Sequence, residues 1–223
     1  MRTVINLNYK WVFSKEATAV PTSIDNKWNF VNLPHCWNAI DGQDGGSDYF
    51  RGTAYYAKKI DKTELPTADK YYLEIRGANS SADVYMDGQH LAHHDGGYST
   101  WRVDVTDHLK HDSVLAITVD NAANDRVYPQ VADFTFYGGL YRDVNLICVS
   151  ESHFDLDHFG GPGIAVTPVM DGDNANVDVE VWLTNSKVGQ TVRFTLYDAQ
   201  EQVLQTAEVN GTKAHFVIEN AHK

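Results

Sequence analysis

The chain has 223 residues, with 18 Lys or Arg against 30 Asp or Glu, so its formal net charge is −12. This length allows two small domains or one large one, each with a sizeable core. Because a phosphate backbone would repel so acidic a protein, the charge argues against nucleic acid as a partner. Uncharged stretches are much shorter than the roughly 20 apolar residues of a membrane helix, so we also expect no membrane partner.

The N-terminal sequence MRTVINLNYKW contains neither the apolar region nor the small-residue cleavage site of a signal peptide. This predicts a cytoplasmic protein. Cys36 and Cys148 lie far apart in the chain, a spacing that fits neither a disulfide framework nor a zinc ribbon. We therefore expect two free, buried thiols in a reducing compartment.

Hydrophobic residues alternate with polar ones in many short runs, and no stretch has the helical i, i+3, i+4, i+7 pattern. The sequence is therefore predicted to be all-β. Asp87-Gly88 predicts a hairpin turn, since glycine tolerates positive φ. In the first two thirds of the chain the predicted strands are Thr53–Ile60, Tyr71–Gly77, Ala82–Met86, Ser99–Thr106, Val114–Asn121 and Tyr141–Val149.

The residue composition changes after Val149, where a polar run is followed by the strand-breaking cluster Gly160–Gly163. We predict two domains, 1–150 and 151–223. An immunoglobulin-like sandwich of about seven strands and ~100 residues fits the spacing downstream, so we expect the second domain to be truncated. Its predicted strands are Ile164–Met170, Asn176–Asn185, Thr191–Ala199, Val203–Val209 and Ala214–Asn220.

The sequence predicts no metal site. Adjacent residues of a strand point to opposite faces, so His93 and His94 cannot easily bind one ion. The stretch 171–176 begins like a calcium loop but has Ala175 and Asn176 at its fifth and sixth positions, where the pattern fails. It is better interpreted as a hairpin turn. Asn79-Ser80-Ser81 fits the N-glycosylation pattern. Because glycosylation requires secretion, which the sequence does not predict, we give this pattern no role.

Aromatic residues make up 12% of the chain, and flat amphipathic rings serve both sandwich cores and sugar-binding surfaces. Trp37, Trp101 and Tyr98 could stack on a sugar ring, but we favour core packing for all three. We interpret Arg51, Arg142 and Asp143 as scaffold, because a buried Arg–Asp pair is structural by default.

Several short segments follow one another in an order typical of one enzyme family. They are NLPHCWN (32–38), DGQDGG (41–46), YFRG (49–52) with Tyr55 and Tyr56, ADVYMDG (82–88), HDGGY (94–98), and a segment from Asp133 to Val144 that contains DF and YGGLYRDV. Together they resemble the N-terminal sugar-binding domain of glycoside hydrolase family 2, most closely its β-galactosidase branch. The tail from 151 resembles the second, immunoglobulin-like domain of that family.

The resemblance implies an all-β fold: a jelly-roll-like β-sandwich of the galactose-binding-domain type, followed by an incomplete immunoglobulin-like β-sandwich. It also implies a retaining exo-glycosidase that hydrolyses terminal non-reducing β-D-galactosyl residues. A catalytic (β/α)₈ barrel takes ~250 residues, which this chain cannot supply. We therefore expect a non-catalytic fragment, inactive alone, with no catalytic residue in this chain; its partners would be a galactoside and its own catalytic barrel.

The resemblance implies that loops of the first domain help to hold the terminal sugar. By position Asp133, Asp41 and Asp44 are the candidate substrate-binding residues, because a carboxylate accepts hydrogen bonds from vicinal sugar hydroxyls. The alternative for each is a loop cap that binds nearby backbone N–H groups. Asp41 and Asp44 lie in a solvated, Gly-rich loop that would keep both ionised, which argues against acid catalysis.

The resemblance implies no cofactor in this segment, since the Mg or Na sites of whole family members lie largely in the barrel, and it implies a homo-oligomeric whole enzyme. Two alternatives stay open: a free-standing carbohydrate-binding or assembly module, and a parent enzyme of the β-glucuronidase type. The stretch DGGSDYFRG (44–52) favours galactose.

Overall fold

A computed structural model describes residues 2–39, 50–132 and 134–221. The chain divides into two compact units, Met1–Ser150 and Glu151–Lys223. Within the described residues there are seventeen strands and two three-residue 3₁₀ turns. The predicted all-β class is therefore confirmed. No described helix is long and apolar enough to cross a membrane.

The described residues of the first unit form ten strands, and every pairing between these strands is antiparallel. In chain order they are β1 (Thr3–Asn6), β2 (Trp11–Ser14), β3 (Asn29–Val31), β4 (Thr53–Ile60), β5 (Lys70–Ile75), β6 (Ser81–Met86), β7 (Gln89–Asp95), β8 (Trp101–Asp104), β9 (Ser113–Asp120) and β10 (Val144–Val149). A six-stranded sheet has the order β3-β2-β4-β9-β6-β7, and a four-stranded sheet has the order β1-β10-β5-β8.

One hydrophobic cluster takes side chains from both sheets of this unit, which makes the unit a β-sandwich. Tyr56 on β4 and Ile117 on β9 come from the larger sheet, whereas Leu73 on β5 and Leu146 on β10 come from the smaller one; all are at most 1% exposed. Period-two alternation places these residues on the inner faces. Each fully buried side chain of this size stabilises the fold by about 1.5–3 kcal/mol.

The predicted strand Thr53–Ile60 of this unit is confirmed residue for residue. The Asp87-Gly88 turn is also confirmed: Met86 pairs with Gln89, and both turn residues have positive φ. The partner strand is β7, which sequence patterning missed because it is polar and partly exposed. The predicted strand 99–106 is shorter in the structure, since a turn with a Leu109 N to Val105 O bond follows β8.

A buried ionic network lies on the four-stranded sheet. Glu74 on β5 accepts hydrogen bonds from Arg102 on β8 at 2.6 Å, from Asn145 on β10 at 3.0 Å and from Arg76 at 2.9 Å. The side chains of Glu74 and Arg102 are only 4% and 5% exposed. Burial alone would raise the pKa of Glu74, but these donors outweigh it and hold that pKa below its usual value. The network joins three of the four strands.

We expect Arg102→Ala to destabilise the first unit by about 3–5 kcal/mol, because it leaves the Glu74 carboxylate buried without its closest cation. Urea unfolding followed by tryptophan fluorescence measures this change, since Trp11, Trp28, Trp37 and Trp101 lie in this unit. Arg193→Ala, which breaks the exposed Arg193–Glu208 pair, is the control and should change stability far less. Equal effects of the two substitutions would contradict a buried network.

The second unit is also built of antiparallel strands. They are β11 (His153–Phe154), β12 (Ile164–Asp171), β13 (Asn174–Val181), β14 (Leu183–Thr184), β15 (Val192–Tyr197), β16 (Val203–Val209) and β17 (Lys213–Ile218). They form the sheets β11-β14, β12-β13-β17 and β15-β16. Alternate residues of β13 pack with Phe194 and Phe216 in a separate core. The predicted strand Val203–Val209 is confirmed.

The stretch that resembled a calcium loop is a two-residue hairpin turn, as predicted: Asp171 pairs with Asn174, and Gly172 has a φ of 61°. Asp155 caps a turn by accepting the amides of Asp157 and His158 and the hydroxyl of Thr184.

The two cysteines differ in exposure. Cys148 is buried as expected, but Cys36 is only half-buried. The expectation of two buried thiols is therefore wrong for Cys36. This residue lies in the loop after β3 and not within a sheet.

Candidate functional site

The predicted sugar contacts Asp41, Asp44 and Asp133 all lie outside the described residues, so their roles stay predictions. The structure does describe the segments on either side of them. These segments, with the other motifs found in the sequence, define a candidate site in the first unit.

The motif NLPHCWN lies against the motif YGGL. The amide of His35 donates to Leu140 O at 2.8 Å, and the amide of Trp37 donates to Gly138 O at 3.0 Å. Because these are main-chain bonds, they fix the backbone of one segment against the other whatever the side chains do. Two motifs separated by about half of the chain are thereby brought into contact.

Tyr56 on β4 connects both segments to the sheet. It is fully buried, and its hydroxyl lies 2.8 Å from His35 Nδ1 and 3.4 Å from the amide of Leu140. Burial raises the pKa of Tyr56, so the hydroxyl keeps its proton. Burial, with Lys15, lowers the pKa of His35, so its ring is neutral and can accept. The Tyr56 hydroxyl therefore accepts from the Leu140 amide and shares one hydrogen bond with His35 Nδ1.

Asn79, which follows β5, is 1% exposed and makes several bonds to the segment around position 133. Its Nδ2 donates to Gln130 Oε1 at 3.1 Å and to the carbonyl of Tyr137. Its Oδ1 accepts from the Tyr128 hydroxyl at 2.7 Å. Its backbone pairs with Gly139 in an isolated β-bridge. Sequence reasoning missed this residue, because nothing local marks it apart from the glycosylation pattern to which we gave no role.

Arg51, interpreted as scaffold, binds backbone carbonyls. Its Nη1 donates to Asn121 O at 3.2 Å and its Nη2 to Gln130 O at 2.7 Å. Arg142 donates to Tyr98 O at 3.0 Å, and Asp143 accepts from Asn8 at 2.7 Å. These contacts to protein support the scaffold interpretation, but the expected buried Arg–Asp pair is wrong for Arg142 and Asp143, because Arg142 is exposed and donates to a carbonyl.

A cavity of about 610 Å³ lies beside this scaffold. Gln130, which lines it, is 6% exposed, and its Nε2 donor has no hydrogen-bond partner among the described residues. An unpaired buried donor is unfavourable unless a ligand or water accepts from it. The lining residues are Arg51, Ala122, Ala123, Asn124, Asp125, Val127, Tyr128, Pro129, Gln130 and Val131.

Core packing was predicted for Trp37, Trp101 and Tyr98, and the structure agrees for the first two. Trp37 and Trp101 are 6% and 9% exposed and belong to the core, as expected. Core packing is wrong for Tyr98, which is 51% exposed and stacks on Tyr128 with ring centroids 5.1 Å apart. Tyr98 follows β7 in a loop, where period-two patterning gives no information on burial.

Two motif glycines are required by close packing. A Cβ on Gly97 would lie 2.3 Å from Asn79 Oδ1, and one on Gly138 would lie 2.4 Å from Trp37 Nε1. Neither glycine has a positive φ in the range that disfavours side chains. Close packing therefore requires Gly97 and Gly138, whereas the other glycine of each motif, Gly96 or Gly139, has a positive φ.

We expect Gly97→Ala and Gly138→Ala each to destabilise the first unit by about 1–3 kcal/mol, because an added methyl group overpacks the site. Gly211→Ala is the matched control, since a Cβ there meets nothing within 4 Å. Thermal unfolding of the three variants tests this. A shift for Gly211→Ala as large as for the other two would contradict the packing argument.

A cluster of histidines and carboxylates lies on β6 and β7, within and between the ADVYMDG and HDGGY motifs. His93 contacts Asp83 Oδ1 at 2.9 Å through Nδ1 and Asp95 Oδ2 at 3.1 Å through Nε2. Asp83 also contacts His90, and Asp95 also pairs with Arg126. His94 instead stacks on Trp101 at 4.9 Å. The predicted opposite orientation of His93 and His94 is confirmed.

Hydrogen bonds to Asp83 and Asp95 raise the pKa of His93 above its usual value. A raised folded-state pKa stabilises the fold below the unfolded value of about 6.5, and this contribution disappears as the pH rises through the folded pKa. We therefore expect His93→Gln to lower the melting temperature at about pH 5.5 and to have little effect at about pH 8.5. His108→Gln serves as the control. The same loss at both pH values would contradict this account.

Among residues 2–39, 50–132 and 134–221, no group of three or more His, Cys, Asp or Glu side chains is arranged to hold a metal ion.

Comparison with known proteins identifies the class. Residues 48–135 match the glycosyl hydrolase 2 galactose-binding domain-like family. A β-glucuronidase of Bacteroides fragilis is 34% identical over 206 residues, which is 85% of this chain and 28% of that protein. A β-galactosidase of Thermoanaerobacter pseudethanolicus is 23% identical over 94% of this chain and 31% of its own length. The first unit is thus a galactose-binding-domain-like sandwich.

A solved structure is similar over the whole chain. The FMN-binding β-glucuronidase of Faecalibacterium prausnitzii L2-6 is 37% identical with a TM-score of 0.89, covering 100% of this chain and 34% of that one. The chain belongs to glycoside hydrolase family 2, as the sequence resemblance implied. It spans about a third of the length of these relatives.

Proposed function

We propose that this chain is the non-catalytic, sugar-contacting part of a retaining exo-β-glycosidase. The similarity to a β-glucuronidase over the full length of this chain carries the proposal. In such enzymes one carboxylic acid protonates the leaving oxygen while a carboxylate roughly 5 Å away attacks the sugar, and water then hydrolyses the glycosyl-enzyme. We assign that pair to the catalytic barrel and not to this chain.

We infer that the substrate is a terminal β-glucuronide. The identities of 34% and 37% to two β-glucuronidases exceed the identities of 23–30% to β-galactosidases, which supports this choice over a β-galactoside. The β-galactoside is the second candidate, and the DGGSDYFRG stretch favours it. Initial rates of the full-length protein on the p-nitrophenyl β-D-glucuronide and β-D-galactoside decide between them. Turnover of neither substrate would contradict the proposed activity.

Within this proposal Asp133 accepts hydrogen bonds from sugar hydroxyls, and Asp41 and Asp44 approach the same sugar. Two described features support such a role. The Nε2 donor of Gln130, which precedes position 133 in the chain, has no hydrogen-bond partner among the described residues. The half-exposed ring of Tyr98 stacks on Tyr128, which lies in the same loop as Gln130. A carboxylate that accepts two hydroxyl bonds orients the sugar without taking part in bond breaking.

We expect Asp133→Ala in the full-length enzyme to lower kcat/KM about 10- to 100-fold, because a hydrogen bond to a charged group contributes about 1.5–3 kcal/mol. Asp173→Ala, in the hairpin turn after β12, is the control and should have wild-type kinetics. Steady-state rates on the better p-nitrophenyl glycoside measure both. Wild-type kinetics for a folded Asp133→Ala protein would remove Asp133 from the site.

A further inference from the structure

One side of strand β12 in the second unit is apolar and exposed. In the pairing of β12 with β13, Val166 lies opposite Val179, and Met170 lies opposite Ala175. Directly opposite residues point to the same face of a sheet. Val179 and Ala175 are buried in the core of the second unit, but their partners on β12 are 56% and 40% exposed. The core-facing side of the sheet therefore extends onto β12, where the described residues leave it about half exposed.

The two faces of this sheet differ in charge. The core-facing side of β12 carries an apolar row of four exposed residues, which are Ile164, Val166, Pro168 and Met170. On the opposite face, Lys213 Nζ lies 3.0 Å from Glu180 Oε1, and His215 Nδ1 lies 2.8 Å from Asp178 Oδ1. Charged groups are stable in water, whereas the apolar row gains free energy when another apolar surface covers it.

The neighbouring sheet β15-β16 can accept a further strand near the apolar row. Gln205 on β16 donates to Val217 O on β17 at 2.6 Å, so β16 lies beside β17. Val192 and Phe194 on β15 pack in the same core as β13, so β15 lies farther from the β17 edge, on the side toward β12. Among the described strands β15 pairs with β16 alone, and its other edge presents main-chain groups to which a strand can bond.

We propose that a β-strand from the part of the full-length enzyme outside this chain pairs with the free edge of β15 and covers the apolar row of β12. This rests on the proposed function, in which the chain is one part of a longer enzyme. The similarity to the Faecalibacterium prausnitzii β-glucuronidase supports it, since the match covers 100% of this chain but 34% of that one. Such a strand turns apolar side chains toward β12, as the inner faces of packed sheets do.

Cysteine labelling tests this proposal, because β12 offers a matched pair of valines. Val166 and Val169 are both 56% exposed, but Val169 lies opposite Asn176 on the other face of the sheet. In the 223-residue chain we expect Val166→Cys and Val169→Cys to react with N-ethylmaleimide at rates within about twofold of each other, since both thiols are accessible. Peptide mass spectrometry separates these sites from Cys36 and Cys148.

In the full-length enzyme we expect Val166→Cys to react at least about tenfold more slowly than Val169→Cys, because a covered thiol reacts only when the structure opens locally. Equal rates for the two variants would overturn the proposal. If Val166→Cys fails to fold, Met170→Cys takes its place with the same expectation. Labelling of Val166→Cys that slows in the 223-residue chain as its concentration rises would assign the apolar row to a second copy, and would also overturn the proposal.

Amide hydrogen exchange of β15 distinguishes a strand from any other cover. In a strand with one partner, alternate N–H groups point away from that partner. We therefore expect alternate β15 amides to exchange fast in the 223-residue chain and slowly in the full-length enzyme. Fast exchange of these amides in the full-length enzyme would overturn the added strand, even if Val166→Cys is protected.

The outcomes separate this proposal from the proposed function. Protection of Val166→Cys and of the β15 amides, without turnover of either p-nitrophenyl glycoside, would overturn the glycosidase activity and support the added strand. Turnover with equal labelling of the two variants would overturn the added strand alone.

Discussion

The pairing of residues 35–37 with residues 138–140 is the constraint on which the candidate site depends. Main-chain hydrogen bonds hold these segments together, and the buried Tyr56 hydroxyl connects both to β4. Such close approach leaves no room for a Cβ at Gly138. The segment that carries position 133 begins and ends at fixed points, because Arg51 and Asn79 hold Gln130 and the YGG motif follows it.

The two sheets contribute differently to this arrangement. The larger sheet supplies Tyr56 on β4 and the end of β9 that anchors Ser80. The smaller sheet is stabilised by the Glu74 network, whose charges are paired and hydrogen-bonded as burial demands. The two packed sheets form a rigid scaffold. Loops between their strands can therefore carry binding residues, which is a common arrangement in proteins.

Periodicity predicted the parts of the fold where burial alternates. The pattern predicts Thr53–Ile60 and Val203–Val209 with the same bounds that the structure shows, because one face of each strand is apolar. The polar edge strand β7 was missed, and Tyr98 was wrongly placed in the core, because loop residues carry no periodic signal. Asn79 could not be found from the sequence, since its partners lie about fifty residues away. The roles of Asp41, Asp44 and Asp133 remain predictions from family resemblance.

Amide hydrogen exchange measures the central constraint most directly. If the 35–37 and 138–140 segments pair as described, the amides of His35 and Trp37 exchange nearly as slowly as those of β9, although they lie outside the strands. Exchange of these two amides as fast as that of an exposed loop such as 186–190 would mean that the segments do not pair, and the site built on them would be wrong.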